Sequence, residues 1–381
     1  MVWPSDVSPN ACTNRCYETA LQVREEAGTP GVIESIRCGL AFHARNLVGP
    51  KTIEELEGKF AVEAVRRLQE NKIWVMGDVH TEGIMSPERL SITSFNVWCS
   101  VKGTNSGMDF ADVPVETLCH PDTQKPLMLH PHFVAALLND VYGIQARSGC
   151  ACAGPLSFRL FGPRYPFMTQ EAIDQLIDLA DKNLHSLKPG FCRVNFNYFI
   201  DEEEFDFILQ AIQQIAEHGW KLLPLYALCL QTGQYWYNGV EKNGDKYESF
   251  NRFDAVRTLN EVEMGPEGIT WHGCKYSEAD RRQYLKEALQ IYDKAPKLVR
   301  DMLFRFRDMR RRDVPFPEHL QKYRFFALGS EVLPHLGISE SQVAEAMGTS
   351  ESKDPVANPM ITSFPKHQVA TPMYTFNRPR G

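Results

Sequence analysis

Residues 147–155, Arg-Ser-Gly-Cys-Ala-Cys-Ala-Gly-Pro, bring one cation and two thiols together in a run otherwise made of small residues. A thiol on a loop beside a cation suits nucleophilic chemistry, because the thiolate is the reactive form and nearby positive charge favours it. A second candidate is Arg193. In residues 191–199 the apolar set Cys192, Val194, Phe196 and Tyr198 alternates with Arg193, Asn195 and Asn197. The period of two reads as a strand whose Arg193 faces away from the core. A third is the turn Gly28-Thr29-Pro30, whose backbone N–H groups and hydroxyl could hold an anion at the start of the helix that follows. A metal reading of the same region would use His130, His132, Cys150 and Cys152, an HxH and a CxC. His130, however, precedes a proline at a helix start, where it caps more naturally than it ligates, so no metal site is expected.

These side chains need elements to hold them. Ahead of the thiol loop, His130-Pro131-His132 opens a helix continued by the apolar spacing of 135–141. Gly143-Ile144 reads as a left-handed stop with its apolar contact, and 144–147 as a short strand. Further upstream lie two helices. In the first, Ile33, Ile36, Leu40, Ala44 and Leu47 form one stripe and Gly49-Pro50 the stop. The second is capped by Thr52, carries Ile53, Leu56, Phe60, Ala64 and Leu68 on one face, and is closed by Asn71. A strand over 73–76 follows, and then a second over 91–101, where Thr93, Phe95, Val97, Cys99 and Val101 make a fully covered face. Residues 103–123 read as a long surface loop. Downstream, helices are expected from Thr169 to the Lys188-Pro189-Gly190 turn, from 201 with carboxylates in its first turn, and over 278–308 around Pro296.

Bulk properties bound the rest. The chain has 381 residues, 43% hydrophobic and 23% charged, which allows a substantial core. A net charge of -7 argues against nucleic acid as the main partner. No apolar run is long enough to span a bilayer and the N-terminus has no signal-like apolar region, so a cytoplasmic location without membrane association is expected. The ten cysteines are scattered rather than set in paired zinc-site spacing.

With these residues in view, 26–218 resembles the C-terminal part of the class V aminotransferase family, pyridoxal-phosphate enzymes of fold type I that include cysteine desulfurases and selenocysteine lyases. The resemblance is carried by an ordered series: Glu26-Ala27-Gly28-Thr29-Pro30, Ser94-Phe95-Asn96, Leu129-His130-Pro131-His132, the run from Gly143 through Arg147 and Cys152 to Pro155, and Arg193. It implies that Cys152 is the cysteine that accepts sulfur as a persulfide. It implies further that Arg193, with Arg147, serves the carboxylate of an amino-acid substrate, and that Gly28 and Thr29 reach the cofactor phosphate across a homodimer. In the family the Schiff-base lysine and most of the phosphate-binding loop precede the Gly-Thr-Pro turn. Here the 27 residues before Gly28 contain no lysine.

The fold expected is therefore α+β: the C-terminal small domain of fold type I, a short mixed or antiparallel sheet with helices on one face, its other face left open where a large domain would meet it. Residues 1–24 are unassigned, 25–220 form the class V aminotransferase-like domain, 221–348 a mainly helical extension and 349–381 a flexible tail. The large domain is expected to be missing, so that the chain is truncated, inactive alone and unable to bind pyridoxal phosphate as an aldimine. The alternative is a non-catalytic binding or regulatory module that pairs with an intact paralogue.

Overall fold

The computed structural model describes residues 31–77, 90–101, 113–161, 174–175, 184–237, 262–265, 268–271, 278–305, 318–339 and 341–343. Its architecture is α+β, and the pairs between its named strands are all antiparallel. Strands β1 (Trp74–Val75), β2 (Ile92–Trp98), β3 (Met128–Leu129), β4 (Arg147–Gly149) and β5 (Phe191–Asn195) make one sheet of order β1-β2-β5-β4, with β3 paired to the end of β2. Alternation explains β2: Thr93, Phe95, Val97, Cys99 and Val101 are all buried under the helices, as their spacing predicts. Two further hairpins, β6 (Tyr226–Leu228) with β7 (Tyr235–Tyr237) and β8 (Val262–Gly265) with β9 (Gly268–Trp271), stand apart from it.

Local chemistry sets the helix ends. In α3 (Pro131–Tyr142) the His130 side chain accepts from the His132 N–H at 3.1 Å, Pro131 takes the first helical position, and Gly143 turns left-handed at φ 72°. Asp201 caps α5 (Glu202–His218) by accepting from the Glu204 N–H at 2.6 Å, with three glutamates in the first turn facing the helix dipole. One expected cap is different. Helix α2 (Pro50–Glu70) begins at Pro50, with Gly49 at φ 94° as its N-cap, because a proline at the first position needs no N–H partner; Thr52 therefore lies inside the helix. The long α6 (Glu278–Arg305) runs through Pro296 and buries Leu285, Ala288, Tyr292, Ala295 and Val299 in the same core as α3 and α5. Its Tyr292 hydroxyl meets the Tyr142 hydroxyl at 3.1 Å, and Tyr142 in turn donates to Gln214 at 3.0 Å. Residues 306–308 of the expected helix, and most of the one expected from Thr169, lie outside the described residues.

The second face of the sheet is less open than the sequence suggests. Trp74 stacks on Trp98 at 5.7 Å, and these pack with Phe158, Phe161, Phe325 and Phe326 in a separate apolar cluster. Phe325 and Phe326 come from a distant segment that continues the sheet: the Met128 N–H donates to the Phe325 carbonyl at 3.0 Å and the Ala327 N–H to the Met128 carbonyl at 2.9 Å. Part of the loop expected over 103–123 also folds in, since Thr117 and His120 are buried and Cys119 bridges to Pro126. What stays open on this face is its β4–β5 end, where Arg147 and Asn195 are exposed and Arg193 half-buried.

Helix α1 (Val32–Val48) has the predicted apolar stripe, but buries no side chain: Ile33 is 64%, Leu40 61% and Leu47 74% exposed. Leu40→Lys is therefore expected to change stability by no more than about 0.5 kcal/mol in urea unfolding, the size of an ordinary surface substitution.

Candidate active site

Strands β4 and β5 place Arg147 directly opposite Arg193, and on its other side Arg193 faces Ser94 of β2. Directly opposed residues share a sheet face, so both guanidiniums and a hydroxyl line the open end of the sheet. Like charges in this relation repel. Among the described residues neither arginine pairs with a carboxylate. Two guanidiniums so placed can receive an anion, and the planar fork of a guanidinium matches a carboxylate.

Two glycines let these strands close. A Cβ on Gly190 would lie 2.6 Å from the carbonyl carbon of Gly149, and one on Gly149, at φ 88°, would meet Nε2 of His132 at 3.0 Å. Beyond Gly149 the chain turns sharply, the Ala153 N–H donating to the Cys150 carbonyl at 2.8 Å. Both central residues are left-handed without being glycine, Ala151 at φ 48° and Cys152 at φ 60°. Such conformations cost roughly 1–3 kcal/mol each and cluster where function requires them. The Ser157 hydroxyl holds the turn from behind, donating to the Ala153 carbonyl at 3.2 Å and to the Cys150 carbonyl at 3.4 Å. Helix α4 (Gly154–Phe161) starts at once and adds the positive end of its dipole. The turn leaves Cys152 exposed, with Arg147 Nη2 donating to its sulfur at 3.4 Å. Lys188 approaches from the neighbouring turn, its Nζ 3.7 Å from where a Cβ on Gly154 would stand.

The histidines beneath this loop are neutral. His130 accepts at one ring nitrogen from the His132 N–H, and its Nε2 lies 3.0 Å from the Ser186 carbonyl, which one neutral tautomer satisfies. Burial, and next the neighbouring His132, push its pKa down to about 3. With both nitrogens taken by backbone, His130 serves the helix start and not a metal. His132 is also held below the ordinary histidine range, by burial first and then by the charge of Arg147. Between about pH 3 and 6.5 the unfolded chain carries a proton on residue 130 that the folded chain does not. Stability therefore rises with pH across that window and is lost on acidification, by about 1.4 kcal/mol per unit. Urea unfolding is expected to show a loss of about 2 kcal/mol from this group between pH 6.5 and about pH 5. His130→Asn keeps a capping oxygen and should remove that part of the slope.

No family model matches the chain, and no curated protein matches it. Among solved structures it is similar to the apo form of a cysteine desulfurase from Thermococcus onnurineus NA1, with a TM-score of 0.32 and 22% identity over 51% of this chain. That similarity spans 33% of the desulfurase chain. The α+β fold rests on the sheet and helices themselves.

Of the residues singled out in the sequence, Arg147, Arg193 and Cys152 come together at one end of the sheet, while Gly28 and Thr29 lie outside the described residues. The cofactor that the resemblance implies is pyridoxal phosphate. Its aldehyde takes a lysine amine and its pyridine nitrogen a carboxylate, and among the described residues this end of the sheet offers guanidiniums, a thiol, the Ser94 hydroxyl and, from the neighbouring turn, Lys188. The sequence reading missed helix α4, the contact between Gly149 and Gly190, and the approach of Lys188. The Lys-Pro-Gly turn was the available signal, read there only as a helix stop. No helix among the described residues is long and apolar enough to cross a membrane.

Proposed function

We propose that this chain carries the substrate-side half of a desulfurase-type site, in which Arg193 and Arg147 hold the carboxylate of an amino acid and Cys152 accepts its sulfur. The observation that carries this reading is the register that sets two guanidiniums opposite one another beside an exposed thiol. Carboxylate binding relieves the repulsion between the arginines and fixes the ligand by its non-reacting end. The thiolate then attacks the ligand's sulfur, a new S–S bond forms, and the C–S electron pair leaves with carbon. The residues described here hold no group that takes up that electron pair. In this proposal they bind, orient and accept, and the cofactor-bearing half is supplied from outside them.

Calorimetric titration with L-cysteine and L-alanine tests the binding half. Both amino acids should bind, and Arg193→Met should weaken each by about 10- to 100-fold, the loss of one charge-assisted hydrogen-bonded pair at about 1.5–3 kcal/mol. Equal affinity in the variant would sink the carboxylate role.

The second reading, a module pairing with an intact paralogue, is favoured by one observation, the exposed apolar stripe of α1. It is compatible with the first, since a partner covering α1 could also supply the missing half.

A further inference from the structure

Cys150 has no task in the sulfur-accepting step, yet it sits two residues from Cys152 in the same closed turn. Two residues apart, their Cα atoms are within about 7 Å of each other even in an extended chain, and the hydrogen bond from the Ala153 N–H to the Cys150 carbonyl bends this segment further. A disulfide needs a Cα separation of about 4.4–6.8 Å. The two thiols differ in access: Cys152 is exposed and Cys150 half-buried. The outer thiol is thus placed to meet a sulfur donor, and the inner one is shielded from it but tethered to the product. The turn is held in this form from both ends, by the close packing of Gly149 on Gly190 and by the Ser157 hydroxyl.

We propose that Cys150 is the resolving thiol of Cys152, which deepens the reading above and rests on sulfur uptake at Cys152. After Cys152 carries a second sulfur, the Cys150 thiolate attacks Sγ of Cys152. A Cys150–Cys152 bond forms, the bond from Sγ to the outer sulfur breaks, and that sulfur leaves with the electron pair and a proton as hydrogen sulfide. The Cys150 sulfur is oxidised, the outer sulfur is reduced and Sγ of Cys152 keeps its oxidation state, so electrons balance. A small dithiol then returns the pair to the reduced state by exchange.

The test loads the reduced full chain with inorganic tetrasulfide, removes the reagent, and follows released sulfide together with the mass of the Cys150–Cys152 peptide. Wild type should release about one equivalent of sulfide per chain and yield a peptide lighter by two hydrogens, whereas Cys150→Ser should keep the added sulfur on Cys152. A wild-type chain that loads Cys152 and holds the sulfur as long as Cys150→Ser overturns the resolving role and leaves sulfur acceptance standing. A chain that takes no sulfur at Cys152 overturns both. In parallel, oxidation with glutathione disulfide should close the same internal disulfide. Glutathione remaining on Cys152 with no internal bond counts against the proposal whatever the sulfide data show.

Discussion

Cys152→Ser takes up no sulfur at position 152 from a polysulfide donor and reacts with no alkylating agent there, the largest functional loss expected from one substitution. The reason lies in how that thiol is placed and not in the presence of a thiol as such. Cys99 and Cys192 are buried, and burial pushes the Cys192 thiol up to about 12 and Cys99 higher still, so neither supplies thiolate at neutral pH. Cys119 is raised in the same direction by the same cause. Cys152 stands exposed in a strained turn with a guanidinium N–H on its sulfur. Cys38 is also exposed, on α1, but among the described residues no guanidinium donates to its sulfur, so peptide mapping should find its modification unchanged by the substitution. Uptake of sulfur elsewhere at the wild-type level of Cys152, with residue 152 unreactive in the unsubstituted chain, would refute this placement.

Arg324→Met is expected to lower the free energy of unfolding by about 3–5 kcal/mol, the cost of leaving one partner of a buried ion pair alone. The Arg324 side chain is 1% exposed and grips Glu331 at 2.6 Å, while also donating to the Phe326 carbonyl at 2.6 Å and to Gln321 at 2.9 Å. Glu331 in turn accepts from the Leu328 N–H at 2.8 Å. This network fixes the segment that lays Phe325 and Phe326 on the second face of the sheet. Loss of the guanidinium strands a carboxylate and frees that segment together. Urea unfolding monitored by tryptophan fluorescence would report it, since Trp74 and Trp98 lie in the same cluster. A loss below 1 kcal/mol, roughly that of an exposed pair, would mean that the network adds little.

Where the physics is local, the sequence was readable. The covered face of β2, the His130 cap and the left-handed Gly143 all depend on residues a few positions apart, and each forms as its pattern predicts; the acidic start of α5 forms too, with Asp201 as its cap instead of in its first turn. Arg193 was likewise legible as a residue facing away from the core. Its partner was not. That Arg147 stands opposite Arg193 depends on the register of β4 against β5, which alternation alone leaves free and which the glycine contact at 149 and 190 helps to set. The Phe325–Phe326 segment was invisible for a related reason, since its pairing with Met128 joins parts of the chain far apart in sequence and leaves no period behind. Helix α1 shows the limit from the other side: periodicity revealed an apolar stripe but not whether anything covers it.

The proposed site joins the two arginines and Cys152 around one ligand. It is tested most directly by the rate at which iodoacetamide alkylates Cys152 as L-alanine is added, an amino acid with the carboxylate but no sulfur. The rate is predicted to change and saturate with L-alanine in the wild-type chain, as the ligand occupies the guanidiniums beside the thiol, and to be flat in Arg193→Met. A wild-type rate indifferent to L-alanine at saturating concentration would contradict it.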